Sequence, residues 1–345
     1  MFRVFYALFV RAIQPVNLSI VGGSHPGLIF TIMLKGILLK VASAFMFSLM
    51  AAIVKVTAKA YPIGELVFFR SFFALLVLVL WLHFRGEFPR AVHTVRPLGH
   101  IGRGLAGSGG MFLGFIALAL LPLPDATAIG YAAPLIVVVL ASIFLKEQIR
   151  LYRWSAVMLG FLGVLLTLRD HFGLALPSPA FMPAEALGAL IALLGAGCTA
   201  IATIQTRRLT LSEHTGAIVF YFSLLTTLAG LAVCLAGLFW RTDWIGAGFI
   251  MAQPAWLTPS GWDFAFLALI GVFGGIAQIL MTESFRHAEA SVTACFDYTS
   301  LLWAMLLGLF VFGETPSIWV LAGSLIIAAA GIFVALRERK RAVQR

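Results

Sequence analysis

Runs of about twenty apolar residues recur along the whole chain, and each is long enough to cross the roughly 30 Å hydrocarbon core of a bilayer as one helix. The sequence is 61% hydrophobic and only 11% charged, a composition that does not suit a surface in water. It therefore predicts an all-α membrane protein with ten transmembrane helices. The predicted spans are residues 38–58, 63–84, 101–121, 125–145, 153–169, 185–206, 215–239, 262–285, 290–312 and 317–336.

Composition and motifs exclude several other classes. A transmembrane barrel would show short segments of alternating hydrophobicity, which the sequence lacks. The net charge of +10 does not indicate a nucleic-acid partner, because the positive residues lie between apolar runs rather than on one face. The three cysteines fall inside apolar runs and are expected to be small buried side chains. No Cys-x-x-Cys, His-Glu-x-x-His or Walker lysine motif is present, so no metal, flavin or other cofactor is expected.

Two segments of the chain resemble each other. Tyr131 corresponds to Tyr298 and Glu147 to Glu314, with the same number of residues between the members of each pair. Duplicated hydrophobic units are common in secondary transporters, whose substrate site lies between two halves that rock against each other. The similar segments are residues 126–169 and residues 293–337.

The ten spans divide into two halves of five, and five is an odd number. A second copy of an odd-numbered unit must enter the membrane from the opposite side, so the halves are predicted to form an inverted repeat. Glycines four residues apart occur in the third and eighth spans and predict close helix packing. These glycines are Gly110, Gly114, Gly271 and Gly275. The predicted organisation is a leader, interfacial or disordered (1–35), a first repeat (36–170), a linker (171–184), a second repeat (185–337) and a basic tail (338–345).

The distribution of Lys and Arg predicts the orientation. Nineteen of the 24 Lys and Arg residues fall on one side of the predicted spans and four on the other, with Arg70 inside a span. Because positive residues are enriched on the cytoplasmic side of a membrane, both termini are expected in the cytoplasm. The membrane is expected to be the inner membrane of the cell.

Two charged residues lie deep inside predicted spans, away from the span ends, where an unpaired charge costs several kcal/mol. Arg70 is about eight residues into the second span, and either holds a substrate carboxylate or phosphate, or is a structural arginine satisfied by backbone carbonyls or by snorkelling. Asp297, in the ninth span, either binds a substrate amine or a coupling proton, or is an acid in a hydrated vestibule. An ion pair between Arg70 and Asp297 is a further alternative.

Uncharged polar and aromatic residues gather in the spans that are expected to face the internal axis. Tyr131, Tyr298 and Trp303 are candidates for stacking on a planar or apolar part of a substrate, and Gln278 is a candidate polar contact. The alternative for each is helix packing and hydrogen bonding between helices. Glu314 is expected to brace a hairpin turn, and Lys55 to extend outward to the interface.

Five short stretches, in one order along the chain, carry a family resemblance. They are Glu65-Leu-Val-Phe-Phe-Arg70, His100-Ile-Gly-Arg103-Gly104, Ala132-Ala-Pro134 with Leu145-Lys-Glu147, Phe296-Asp-Tyr298 with Trp303-Ala304, and Gly313-Glu314. Together they resemble the EamA type of the drug/metabolite transporter superfamily over about residues 36–337. The resemblance implies ten helices in two inverted halves, around a cavity lined largely by helices 1, 3, 4, 6, 8 and 9. It also implies a substrate such as an amino acid, riboflavin, S-adenosylmethionine, a nucleotide sugar or a cationic drug, moved in either direction.

These observations predict a bacterial inner-membrane secondary transporter of a small organic metabolite, of the amino-acid, riboflavin or S-adenosylmethionine class. Its partners would be that small molecule and the lipid bilayer, and the sequence leaves the oligomeric state open, a homodimer included. One alternative is a membrane-embedded lipid-modifying enzyme, although the seven histidines are scattered over loops and span ends rather than clustered. Another alternative is a passive metabolite channel.

Overall fold

The computed structural model describes residues 26–144, 151–172, 184–209, 212–239, 256–287 and 299–342. Over these residues the chain forms eleven α-helices and a short 3-10 turn at Arg90–Val92. The helices are α1 (Pro26–Thr57), α2 (Ile63–Phe84), α3 (Pro97–Leu120), α4 (Leu123–Gly130), α5 (Ala132–Phe144), α6 (Leu151–Phe172), α7 (Ala184–Leu209), α8 (Thr215–Phe239), α9 (Gly261–His287), α10 (Thr299–Phe312) and α11 (Ile318–Ala342).

The apolar helices follow the predicted spans in number and order. Within the described ranges, six helices are long and apolar enough to cross a membrane, judged by length and composition alone. Four shorter apolar helical segments fall on the remaining predicted spans. The predicted all-α membrane fold is therefore confirmed. The shorter segments are Leu123–Val137, Met158–Thr167, Thr299–Phe312 and Ile318–Ala330.

The fourth predicted span is not one continuous helix. It is divided into α4 and α5 at Tyr131, whose backbone lies in a turn. Pro134 has no backbone N–H, so the carbonyl of Gly130 lacks the donor that a continuous helix would supply there. The break places Tyr131 at a bend in the middle of the span.

The first helix begins earlier than the sequence predicts. α1 begins at Pro26, whereas the predicted span begins at residue 38. Proline suits the first position of a helix, and the residues that follow it are mostly apolar and compatible with a helix. Residues 1–25 of the predicted leader lie outside the described residues.

Helix packing has an internal twofold relation. The repeat makes α1 the counterpart of α7, α2 of α8, α3 of α9 and α6 of α11. The two most extensive contacts are those of α3 with α7 and of α1 with α9, and these two pairs exchange when each helix is replaced by its counterpart. The next pairs, α6 with α11 and α2 with α8, each join a helix to its own counterpart. This is the contact pattern of two related halves.

The two halves interleave instead of forming separate bundles. Every one of these extensive contacts joins a helix of the first half, α1–α6, to a helix of the second, α7–α11. The main apolar cluster is shared in the same way, with Val54, Leu66 and Phe115 from the first half and Ile270 and Ala304 from the second. Moving the halves apart as two rigid bodies would therefore open the common core.

Glycines bring α3 and α9 close to central helices of the other half. A Cβ at Gly104 would collide with Leu225 of α8, and a Cβ at Gly271 would lie 2.9 Å from the carbonyl oxygen of Arg70 in α2. Gly104 and Gly271 are separated by the same number of residues as Tyr131 and Tyr298. They are therefore equivalent positions of the repeat, and each allows a close helix crossing.

The glycine pairs predicted from sequence do not occupy equivalent positions. Gly110 packs against α7, where a Cβ would lie 2.7 Å from Oγ1 of Thr199, whereas Gly275 packs against α2. A Cβ at Gly114 would have no neighbour within 4 Å, although Gly195 of α7 lies against its backbone. Close packing is found at both motifs, but the two motifs meet different partners because they lie on different faces of α3 and α9.

Candidate substrate site

Tyr131 lies where three segments from the two halves meet. Its hydroxyl group hydrogen-bonds to the hydroxyl of Ser300, at the start of α10. The carbonyl oxygen of Ser300 accepts a hydrogen bond of 3.3 Å from Ser48 Oγ of α1. The break between α4 and α5 thus directs Tyr131 toward the second half, as expected for a residue at the internal axis.

Trp303 lies close to this cluster, three residues beyond Ser300 in α10. Its ring packs edge-on against Phe45 of α1, with centroids 4.8 Å apart. Its indole Nε1 is buried and has no hydrogen-bond acceptor among the described residues. A buried N–H without an acceptor is costly, and a substrate oxygen would satisfy it.

Gln278 lies on α9, beside the contact of α9 with α1. The residue is buried, and the carbonyl of the adjacent Ala277 accepts a hydrogen bond of 2.8 Å from Ser43 Oγ. Gln278 therefore lies near the contact of α9 with α1, and α1 is the helix that carries Ser48 and Phe45. Its contact with a substrate stays a prediction.

Arg70 is enclosed by helices of both halves. The residue is 2% exposed, and its Nε and Nη1 atoms have no hydrogen-bond partner among the residues that the structure describes. A Cβ built on Gly274 of α9 would lie 3.0 Å from Nε and 2.8 Å from Sδ of Met50 in α1, so the guanidinium fills the space beside that glycine. Arg70 does not extend to the interface, because it is buried, and no backbone carbonyl of the described helices accepts a hydrogen bond from these two nitrogens.

The distribution of Lys and Arg places Arg103 among the nineteen charges on one side of the spans, and the structure corrects that assignment. It lies in α3 and is 7% exposed, and its Nε donates a hydrogen bond of 2.7 Å to Oγ1 of Thr206 in α7. Six residues from the helix start, it resembles a loop-flanking charge in the sequence. The charge pattern alone could not distinguish the two environments.

Two predicted site residues cannot be located in this way. Asp297 and Tyr298 lie outside the described residues, as does any contact between Asp297 and Arg70. The placed members of the predicted site are Arg70, Tyr131, Gln278 and Trp303. They come from α2, the α4–α5 break, α9 and α10, so the site combines both halves.

One end of the bundle is closed by an ion pair between the halves. Lys55 Nζ lies 2.9 Å from Oε1 of Glu314 and donates a 2.6 Å hydrogen bond to the carbonyl of Leu121. Glu314 Oε2 accepts a 3.0 Å hydrogen bond from the backbone N–H of Leu123. We call this set the Glu314 junction. The bracing role predicted for Glu314 is confirmed, whereas the prediction that Lys55 extends outward is wrong, because its carboxylate partner holds it inside.

The opposite end is closed by a second set of contacts, the Glu213 junction. Glu213, between α7 and α8, accepts hydrogen bonds from Thr94 Oγ1 (2.9 Å) and from the backbone N–H groups of Val95 (3.0 Å) and Arg96 (2.8 Å). Nε2 of His100 lies 3.7 Å from Oε2 of Glu213. Burial acts to raise the pKa of Glu213, but these hydrogen bonds and the interaction with His100 lower it overall.

A family model matches each half of the chain. The model is described as the EamA-like transporter family, and it matches residues 34–169 and again residues 186–337. The two matched ranges coincide with the two sets of helices that are related by the internal twofold.

Two proteins of known name are similar over most of their length. The S-adenosylmethionine uptake transporter of Rickettsia felis is 29% identical over 276 residues, which cover 80% of this chain and 84% of that protein. The pseudopaline exporter of Pseudomonas aeruginosa is 28% identical over 305 residues, which cover 88% of this chain and 97% of that protein. A solved crystal structure with 19% identity matches with a TM-score of 0.61 over 89% of this chain and 98% of its own, which shows similarity of fold alone.

Proposed function

This chain belongs to the EamA-like transporter family and is a transporter of small metabolites, and we propose that it carries its substrate across a bacterial inner membrane by alternating access. In that mechanism a midplane site opens to one side of the membrane at a time. The substrate is held by Arg70, Tyr131, Gln278 and Trp303, together with Asp297 and Tyr298.

The observation that carries this proposal is the pair of junctions at opposite ends of one helical bundle. The Glu314 junction and the Glu213 junction use different residues, and each joins the first half to the second. Between them lie buried polar atoms of Arg70 and Trp303 that have no partner in the part of the chain that the structure describes. A carrier needs a polar site between two closures that open in turn, and this arrangement supplies the components.

The interleaved core indicates which parts move. Because α1 packs on α9 and α3 on α7, each of these pairs contains one helix from each half. We infer that these two helix pairs tilt against the pair formed by α2 and α8, rather than the sequence halves rocking as blocks. Glycines at the crossings of α3 and α9 permit such a movement without side-chain collisions.

The orientation proposed for the chain rests on its charges. Most Lys and Arg residues flank the ends of the helices that carry the Glu213 junction, so we place that junction and both termini in the cytoplasm. The Glu314 junction then faces the periplasm.

The relatives' names support a substrate of the amino-acid or related organic-metabolite class. One is named for S-adenosylmethionine and the other for pseudopaline, and one name describes uptake while the other describes export. Riboflavin stays in the group to be tested because the family resemblance includes it. The relatives' names therefore leave both directions of transport open to the flux assay.

The test is flux through purified protein in proteoliposomes. Labelled amino acids, S-adenosylmethionine and riboflavin are supplied outside or preloaded inside, with protein-free liposomes as the control. The proposal predicts saturable flux of at least one of these metabolites. Flux that rises linearly with concentration would indicate a channel, and no flux above the control for any of them would contradict the proposal.

A further inference from the structure

Two buried arginines lie beside the same aromatic ring in the middle of the bundle. The guanidinium carbon of Arg70 is 5.8 Å from the ring centroid of Phe222, and that of Arg103 is 4.3 Å from it. Because both distances refer to one centroid, the two guanidinium carbons are at most about 10 Å apart. Arg70 comes from α2, Arg103 from α3 and Phe222 from α8, so the cluster joins the two halves.

Neither arginine is neutralised within the part of the chain that the structure describes. No acidic side chain there forms an ion pair with Arg70 or Arg103. Nε and Nη1 of Arg70 and Nη1 of Arg103 are buried, and none of them has a hydrogen-bond partner in the described ranges. The two positive charges also repel each other.

Packing alone does not account for these two charges. A buried charge without a counter-ion costs several kcal/mol, and an apolar side chain of similar volume would be more stable at the same place. The ring of Phe222 compensates only in part, because a cation–π contact contributes about 0.5–2 kcal/mol. Guanidinium groups with unused donors are, however, well suited to bind a carboxylate.

The cluster lies at the internal twofold. A Cβ at Gly107 of α3 would lie 2.7 Å from Cε2 of Phe222, and a Cβ at Gly274 of α9 would lie 3.0 Å from Nε of Arg70. Gly107 and Gly274 have the same separation in sequence as Tyr131 and Tyr298, so they are equivalent positions of the repeat. Each half thus contributes one glycine that makes room for a member of the cluster, at the place where a midplane substrate site is expected.

We propose that Arg70, Phe222 and Arg103 form the subsite that binds a carboxylate group of the transported metabolite. The inference rests on the proposed transport function and names the class of substrate: an organic molecule with at least one carboxylate. The carboxylate accepts hydrogen bonds from the unused nitrogens of Arg70 and Arg103, and the apolar part of the molecule lies against Phe222. Arg103 is held by Thr206, so it presents Nη1 from a fixed position.

The binding test compares acids with their amides. The thermal unfolding of purified protein is measured with two acid–amide pairs, L-methionine with L-methioninamide and succinate with succinamide. Any metabolite that the flux assay finds to be transported is added to the series. It is compared with its own carboxamide and phosphate analogues. Binding to the folded state raises the Tm. We expect a transported acid to raise the Tm and to compete for flux. Its amide should do both with an affinity about ten- to hundredfold lower.

Variants assign the selectivity to the two arginines. Arg70→Met and Arg103→Met should each lower the affinity for the acid by about ten- to hundredfold. The affinity for the amide should not change, because a neutral amide forms no ion pair with the guanidinium. Arg70→Lys keeps a positive charge and should retain a preference for the acid. Arg85→Met is the matched control, since Arg85 pairs with Glu87 at the end of α2 and should not alter selectivity.

Stability of the empty protein provides a second readout. Arg70→Met should unfold at the same or a higher temperature than the native protein, because it removes a buried charge that no described acidic residue neutralises. A fall in Tm, together with equal losses for acid and amide, would show that Arg70 is structural and would overturn the site. Two other results would overturn the carboxylate subsite and leave the transport function intact. One is saturable transport of metabolites without a carboxylate and of no others, and the other is a clear preference for the phosphate analogue. An absence of saturable flux for every metabolite would count against the proposed function instead.

Discussion

Lys55 and Glu314 form an ion pair of 2.9 Å that joins the end of α1 to the turn before α11. The two residues are far apart in sequence and belong to different halves of the repeat. Their side chains are 10% and 22% exposed, so water screens the pair only partly. The same carboxylate also holds the backbone of Leu123, and the closure at this end therefore depends on Glu314.

The ion pair should be energetically coupled. In a double-mutant cycle, Lys55→Met and Glu314→Gln should each lower the thermal stability, and the double variant should lose less than the two combined, with a coupling energy of about 1–3 kcal/mol. The exposed Lys59→Met, one turn further along the chain, serves as the control. Additive losses would mean that the two residues act separately.

The Glu213 junction should weaken in acid. The pKa of Glu213 is below its ordinary value of 4.5, so the ionised form stabilises the folded state above that value, and this contribution is lost as the pH falls through the lowered pKa. Between about pH 5 and pH 3 the Tm of the native protein should therefore fall more than the Tm of Glu213→Gln. Glu87→Gln, on a partly exposed carboxylate that pairs with Arg85 near the same end, should behave like the native protein. Parallel curves for Glu213→Gln and the native protein would contradict this account.

Two glycines of one motif should respond differently to alanine. At Gly110 a Cβ would lie 2.7 Å from Oγ1 and 3.2 Å from the backbone nitrogen of Thr199, so Gly110→Ala should destabilise the protein by about 1–3 kcal/mol. At Gly114 a Cβ would have open space, so Gly114→Ala should be neutral or stabilising by up to about 1 kcal/mol from helix propensity. Thermal unfolding in detergent measures both, and equal effects would show that α3 and α7 are not packed as described.

Trp303 should affect binding and not folding. Trp303→Phe keeps an aromatic ring against Phe45 and removes a buried N–H for which the described residues supply no acceptor. We expect an unchanged or higher Tm and an affinity for the transported metabolite lower by about three- to tenfold, the effect of one hydrogen bond. Trp256→Phe, near the Glu314 end of the bundle, is the control. A loss of stability without a change in affinity would assign Trp303 to packing.

Much of the fold follows from the sequence, because apolar length and repetition are visible there. The correspondence of Tyr131 with Tyr298 also fixes a register, and Gly104 with Gly271 and Gly107 with Gly274 follow the same register in the structure. The position of Tyr131 against Ser300 of the other half agrees with that reasoning.

The remaining features depend on contacts that a sequence does not contain. Lys55 and Arg103 are charges near helix ends, where extension to the interface is the common outcome, and only the partners Glu314 and Thr206 show why both stay inside. The sequence likewise does not predict that the halves interleave, because ten spans in two sets of five are also compatible with two separate bundles. For the same reason the shared four-residue spacing of the two glycine motifs does not show that Gly110 and Gly271 face different neighbours.

Counterflow tests the central claim most directly, namely that one site is exposed to the two sides of the membrane in turn. Proteoliposomes are preloaded with the unlabelled transported metabolite, and a trace of labelled metabolite is added outside. Alternating access predicts that the label inside rises transiently above its equilibrium level, since outward movement of unlabelled substrate returns the site to the outside. A label that only approaches equilibrium, with no overshoot at any internal concentration, would contradict the account.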